Sequence, residues 1–556
     1  MIGAKAYVTS YGYNAADRLT TITYPSGRIV TYARNSLGQV SSVTTQTNAA
    51  AAIDTVVSGI SWKPMANLIT GMTYGNGLVA GATYDTDYRL TAMTLVNGAT
   101  PVISLSYGYG DALNLTAVND NVTAANAVSL AYTPANRLGS ASGPWGSAVY
   151  AYDGVGNRLT ETTTPVGGSA STQVTNLALG SNRMASVSVG ATTTRSFTHD
   201  AAGNITVDVK GGDTFTTTYN VRNRPVSVVR TGTASQTSTY AYNTLQQMVT
   251  RVTTAPGGPI GTVHYIYDLD GHLIAEADGA TGVTTREYIW LASNDNEPVD
   301  LPLALVTAVN TGSPVLSLVH SDHLGRPIRM TDATRATVWQ ASYNPFGEPY
   351  SLSGTLENNL RFPGQFFLIE TGLAYNWHRH YDPTTGRYTQ ADPLRFVDGP
   401  SVYAYAGGSP FMKVDRDGQN AAVILRGAPS VGRLFANACV QSPACLGALG
   451  PPSKAIVDAA KAAAAAMASA MSGETPEEKA MEEAKAAAGQ EVCTLDDPTA
   501  GTGEGTLDTR QSDRDFYNRL KGAPEGGKPP PRGPRTPWQK FVHAVEAGLR
   551  ALGMWN

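Results

Sequence analysis

Residues Tyr150–Glu161 read "YAYDGVGNRLTE". Tyrosines two apart suit a pleated strand. The Asp that follows can hydrogen-bond forward into a turn, and the Gly three residues after it accepts a left-handed backbone. Arg-Leu-Thr then opens the return strand, so the phrase reads as one hairpin.

Worn copies recur along the chain: "YNAADRLTTITYPSGRIVTY" from Tyr13, "YDTDYRLTAM" from Tyr84, "YTPANRLGSA" from Tyr132 and "HDAAGNITVD" from His199. They continue as "YNVRNRPVSVV" from Tyr219, "YNTLQQMVTRV" from Tyr242 and "YDLDGHLIAEAD" from Tyr267. A single hairpin of this kind buries one face only against its neighbours, so the series must stack or coil into an extended sheet. An ordinary β-sandwich shows regular strand spacing without a repeated phrase.

Composition agrees. Charged residues are 15% of the chain, against roughly 25% in an average globular protein, while Gly contributes 57 residues and Tyr 27. A formal net charge of -4 gives no overall basic surface, which argues against nucleic acid as a partner of the repeat region. Cys439, Cys445 and Cys493 all lie late, so the repeats are not held by disulfides. No apolar stretch follows Lys5 in the manner of a signal peptide, and no apolar run is long enough to span a bilayer.

These lines resemble the tyrosine-aspartate repeats of Rhs/YD-repeat proteins over most of residues 1–418. The resemblance implies a mainly β fold: a hairpin strip wound into a partial or complete hollow shell, with the C-terminal segment held inside as cargo. The chain starts in mid-repeat, as a shortened member or a C-terminal piece of a longer one would. The expected divisions are repeats over 1–319, an Rhs-associated core over 320–418, and a variable region over 419–556. The core is legible in "HSDHLGRPIRMTDATRATVWQASYNPFGE" from His320 and in "GRYTQADPL", "YAYAGGSP" and the closing "DRDG".

Read without the family, the core is a set of aromatic strands (Phe366, Phe367, Tyr375, Trp377, Tyr381) punctuated by Pro-Phe-Gly, Asp-Pro and Gly-Gly turns. Asp382 reads as a turn starter. His378, His380 and Asp382 alternate as one face of a strand would, but with His320 and His323 they read as structural residues; no metal or other cofactor is expected.

The resemblance gives Asp392 and Asp415 a sharper meaning. In the family, two aspartates in Asp-Pro-x-Gly motifs cut the chain just after the core, one carboxylate serving as base toward water and its partner as acid. The catalytic pair here is therefore expected to be Asp392 and Asp415, with cleavage near Gln419–Asn420. Asp417 falls at the variable position and is expected to serve the turn. Arg395 and Arg416 stand where the family has Gly and Pro, and are expected either to perturb the pair or to hold the scissile carbonyl.

Beyond Gly418 the composition changes. Ala-rich helices are expected over 453–488, the second capped by Thr475, Pro476 and Glu478 and stopped by Gly489. A Pro/Gly linker follows over 496–535, then an amphipathic helix over 537–553 with Trp538, Phe541, Val542, Val545, Leu549 and Leu552 as its stripe. The tail holds no nucleophile elbow, zinc spacing or phosphate loop. His543, Asp513 and Asp515 read as solvated side chains.

Two readings of function follow. In the first, the chain is a polymorphic-toxin delivery protein, secreted or displayed at the cell surface by a non-classical route. Its partners are its own tail, an immunity protein and a secretion-system component. In the second, it is a structural or adhesive surface protein whose tyrosine rows bind carbohydrate or a protein, or it is a degenerate fragment.

Overall fold

The computed structural model describes residues 2–423, apart from 65, 295–298, 398 and 420. The described residues all belong to one compact unit. The helices expected over 453–488 and 537–553 and the linker over 496–535 lie outside the described residues.

One 30-stranded antiparallel sheet dominates, running from Ser10–Tyr13 to Pro349–Gly354. Each strand pairs with the next in sequence, so the sheet is a single long meander. It passes through residue 320 without a break: Val315–Ser321 pairs with Pro327–Thr331.

The quoted phrase shows how it is built. Strands Gly146–Tyr152 and Arg158–Thr164 are joined by the loop Asp153–Asn157, in which Gly156 has φ 97°. Gly156 N donates to Asp153 O at 3.1 Å, and Asp153 N to Asn157 O at 3.0 Å. This is a three-residue hairpin loop closing on a bulge. Asp153 Oδ1 accepts from the amides of Val155 (3.0 Å) and Asn157 (2.8 Å), so the aspartate holds the loop it precedes. Worn copies keep the backbone: Tyr88, Asn136, Asn223 and Gln246 take the left-handed conformation where the glycine is lost.

The tyrosine before the aspartate serves the previous repeat. Tyr152 donates its hydroxyl to Leu138 O at 2.8 Å, Tyr219 to Ile205 O at 2.7 Å, Tyr242 to Pro225 O at 2.7 Å and Tyr267 to Met248 O at 2.7 Å. Each acceptor is the first residue of the strand that follows the preceding turn. Asp shapes one hairpin while its neighbour Tyr fastens the hairpin before it, which explains why the two residues travel as a pair.

The strip curls back on itself. Tyr24 donates to Tyr288 O at 2.8 Å, Tyr32 to Trp290 O at 3.1 Å and Tyr74 to Val319 O at 3.0 Å; Arg28 pairs with Glu287 at 2.5 Å. Early and late strands therefore share one core, which includes Val30, Tyr32, Val43, Tyr288, Ile289 and Leu305. The result is a β-strip wound into a shell.

Residues 366–388 form a second sheet of four short strands: Phe366–Leu368, Leu373–Asn376, Arg379–Asp382 and Arg387–Tyr388. This sheet and the chain that follows it to Tyr403 lie across the row of hairpin turns. Trp377 donates to Leu245 O (2.9 Å), Tyr403 to Gly203 O (2.8 Å), Arg387 to Asn182 O (2.6 Å) and Arg158 to Thr385 O (2.6 Å). Arg195 pairs with Asp382 at 2.6 Å. Successive repeats thus present their turns to one seam, and the core segment seals it.

Candidate active site

Lys413–Asp415 pairs antiparallel with Ala421–Val423, joining Asp415 to Ala421, so the end of the core is itself a tight hairpin. Its loop holds Arg416, Asp417, Gly418 and Gln419. Asp415 Oδ1 accepts from Gly418 N at 2.9 Å and from Gln419 N at 3.0 Å. Asp417 Oδ1 accepts from Gln419 N at 3.1 Å, the turn role expected of it.

Asp392 reaches the same place from the Asp-Pro turn, where its Oδ1 accepts from Leu394 N at 2.7 Å. What joins the aspartates is Arg379, on the strand Arg379–Asp382. Its Nη1 lies 2.8 Å from Asp392 Oδ2, its Nη2 2.8 Å from Asp415 Oδ2, and its Nε donates to Gly418 O at 2.5 Å. The guanidinium also lies 3.7 Å from the Tyr388 ring centre. All three charged side chains are buried: Arg379 is 1% exposed, Asp392 5% and Asp415 0%. A buried carboxylate needs both a counter-charge and hydrogen bonds, and the site supplies both.

Tyr388 donates to Asp415 Oδ2 at 2.7 Å, and Asn376 Nδ2 donates to the Tyr388 hydroxyl at 2.8 Å and to Asp415 O at 2.9 Å. Burial pushes the Tyr388 phenol well above its ordinary value, and the Asp415 charge adds to that, so the hydroxyl keeps its proton at physiological pH.

The arrangement brackets one peptide group. The Gly418 carbonyl faces a guanidinium N–H and the Gln419 N–H faces a carboxylate, with a second carboxylate on the same arginine. Polarising the carbonyl and holding an acid–base group at the amide nitrogen are what hydrolysis of that bond requires.

The two arginines singled out in the sequence lie elsewhere. Arg395 is exposed. Arg416 turns away from the aspartates to Asp300, its Nε 2.6 Å from Asp300 Oδ1. The arginine on the Gly418 carbonyl is Arg379, which sequence reasoning missed along with Tyr388 and Asn376. A usable signal was present: an arginine inside the aromatic strand "WHRHYD", with the buried-type residues Tyr375 and Tyr381 on either side, must have a buried partner.

The histidines do not gather. His378 is in the turn between Leu373–Asn376 and Arg379–Asp382, so the single strand face expected for His378, His380 and Asp382 is not formed; the hairpin reverses at Trp377, whose φ is 43°. His380 contacts Gln390, and burial pushes its imidazole down to about 3. Asp382 accepts from Thr384 N at 3.0 Å, as a turn starter does; burial opposes its charge, but Arg195 outweighs that and holds it at about 2. His320 bonds Thr331 Oγ1 and His323 bonds Phe411 O. Among the described residues, the group close enough to share a cation is Asp268, Asp270 and His272, and both His272 nitrogens already face carboxylates.

Known proteins share these features. The RHS protein family model matches residues 318–349, and the RHS Repeat model matches 7–29 and 13–51. The tRNA3(Ser)-specific nuclease WapA of Bacillus spizizenii is 28% identical over 276 residues, covering 48% of this chain and 11% of that protein. Toxin protein Tse5 of Pseudomonas aeruginosa is 34% identical over 128 residues, 23% of this chain and 10% of Tse5. The chain thus matches about a tenth of the length of these relatives. A structure of the Photorhabdus luminescens Tc holotoxin pore with a mutant TccC3 matches at TM-score 0.63 and 17% identity, over 76% of this chain and 22% of that one.

Proposed function

From the premise that the chain is an Rhs/YD-repeat protein, we propose that it is a toxin-delivery shell that cuts its own backbone beside Gln419. In this reading the repeats and the start of the core, through Gly354, supply the wall, the rest of the core up to residue 418 seals its seam and performs the cut, and 419–556 are the cargo. The relatives named as toxins support the delivery role.

One observation carries the cut: the Gly418–Gln419 peptide group lies between Arg379 Nε on its carbonyl oxygen and Asp415 Oδ1 on its nitrogen. Asp392 takes a proton from water, and the water oxygen adds to the Gly418 carbonyl carbon. Arg379 balances the charge that gathers on the Gly418 oxygen. The proton taken up by Asp392 passes to the Gln419 nitrogen as the C–N bond breaks, while Asp415 Oδ1 accepts from the N–H of that leaving nitrogen. Collapse leaves a Gly418 carboxylic acid, whose proton passes to the Gln419 amine, so the products are a carboxylate and an ammonium and both aspartates end as they began.

Delivery calls for a secreted or surface-exposed protein exported by a non-classical route, a secretion-system component and an immunity protein for the producing cell. Among the described residues no helix is long and apolar enough to cross a membrane.

The test is the intact mass of the full chain beside its D415N variant. A break next to Gln419 in the wild type that is missing in D415N supports the reading, and the fragment mass assigns the bond. Two whole chains sink it and leave the adhesive reading.

A further inference from the structure

The residue after Asp415 is an arginine whose side chain leaves the site. Its Nε lies 2.6 Å from Asp300 Oδ1, and its Nη2 donates to Asp270 O at 2.5 Å. The same Asp300 oxygen is met by His272 Nε2 at 2.9 Å, Arg416 Nη2 lies 3.2 Å from that ring nitrogen, and His272 Nδ1 meets Asp268 Oδ2 at 3.0 Å. The imidazole is stacked on Trp290 with ring centres 4.6 Å apart. Charges alternate along this chain of contacts: Asp268, His272, Asp300, Arg416. It runs from a repeat turn in the wall to the loop that bears the Gly418 carbonyl.

The backbone of residue 416 is held on its opposite side too. A Cβ built on Gly364 would stand 1.6 Å from Arg416 O, so the two backbones meet where no side chain fits. One residue further on, His378 N donates to Asp417 O at 2.9 Å. The loop is therefore located from three directions, and the Arg416 arm reaches the wall through charge.

We infer that Arg416 is a positioning residue for the cut: through Asp300 and the Asp270 carbonyl it ties the Asp415–Gln419 loop to the wall, and this tie keeps the Gly418 carbonyl on Arg379. The inference rests on the self-cleavage reading. It gives a role to an arginine at a position where the resembling family carries proline, a residue that can make neither contact.

The cluster also sets a pH signature. The groups facing Asp300 are His272 and Arg416, with Asp268 and Asp270 behind His272. Burial opposes the Asp300 charge, but His272 and Arg416 outweigh it and hold the carboxyl below its ordinary value. The tie is present above that lowered value and is lost as pH falls through it.

The experiment follows self-cleavage of the full chain by intact mass over time and across pH, in wild type, R416A, R416K, D300N and the D415N control, with thermal unfolding recorded for each. A misplaced reacting group costs up to about 100-fold in rate. The expected result is R416A and D300N slowed at least about 10-fold at neutral pH, R416K closer to wild type, and the wild-type and R416A profiles converging in acid as Asp300 protonates. A merely structural role would lower the melting temperature of R416A and leave the shape of its profile that of wild type. R416A cutting at the wild-type rate across the pH range, or differing from it by a constant factor, overturns the inference. A wild-type chain that stays whole removes the cleavage reading and this inference with it, an outcome distinct from a wild type that cuts beside an R416A that cuts equally well.

Discussion

Tyr388 and Asp415 share a hydrogen bond of 2.7 Å, formed 27 residues apart in a pocket closed to water. The phenol and the Arg379 guanidinium both bond Asp415 Oδ2. The variant Y388F keeps the ring under the guanidinium and removes the donor. Hydrogen bonds to charged groups contribute about 1.5–3 kcal/mol, so Y388F should slow self-cleavage roughly 10-fold while the far-UV spectrum of the wall stays that of wild type. A cleavage time course on both chains checks this.

Arg379 is expected to matter more for stability than for rate alone. R379A leaves two buried carboxylates without their shared cation, an uncompensated burial worth about 3–5 kcal/mol. R379K keeps a charge but cannot reach Asp392, Asp415 and the Gly418 carbonyl together. Limited proteolysis should open the segment 360–418 in R379A first, with R379K uncut by itself yet resistant to added protease. Equal protease resistance in R379A and wild type would contradict the packing described.

Gly364 has φ 79° and sits against the Arg416 carbonyl oxygen. Alanine there must move the loop or the strand, and a left-handed alanine is strained in any case. G364A should cost about 1–3 kcal/mol in thermal or denaturant unfolding and slow the cut. In contrast, G257A, at a glycine with open space around its Cβ position, should leave both unchanged.

His272 gives a stability prediction with a defined sign. Burial opposes its charge, but Asp268 and Asp300 more than compensate and push it from its ordinary 6.5 up to about 10. A raised value in the folded state stabilises the protein fully below the ordinary value, and that contribution is lost as pH climbs through the raised one. The difference in unfolding free energy between wild type and H272Q should therefore be constant near pH 6, of the order of a few kcal/mol, and shrink between about 7 and 10. A difference that grows over that range would refute the assignment of a charged imidazole.

The tyrosine fastening predicts small, repeated effects. Y219F removes one hydroxyl bond between neighbouring hairpins and should cost about 0.5–1.5 kcal/mol. Y219F combined with Y267F, whose bond to Met248 lies two repeats away, should give the sum of the single losses.

The repeats were legible because their information is local. Asp153, Gly156 and Tyr152 act within one hairpin or on the one before it, and a contact of fixed sequence offset leaves a periodic trace. The left-handed sites without glycine, such as Asn223, show how far a copy can wear before its backbone changes. The two aspartates were legible from the resemblance. Arg379 was not, because its partners lie 13 and 36 residues downstream and meet it only after the second sheet has packed on the seam. Proximity in sequence pointed to Arg395 and Arg416, but a side chain's neighbours in a folded hairpin are set by pairing register, and register sent one arginine into solvent and the other to Asp300.

The hairpin that ends the core has a bearing on what happens after the bond opens. Lys413, Val414 and Asp415 remain paired with Val423, Ala422 and Ala421 on the far side of the break. The new Gln419 amine would carry a positive charge beside Asp415, and the new Gly418 carboxylate a negative one beside Arg379. The proposed scission would create two electrostatic clasps where there had been a covalent link, so hydrolysis would arm the joint without parting it. In that reading the delay before departure would be set by how fast three residue pairs unzip, a step that pulling force or acid would hasten and added water would not.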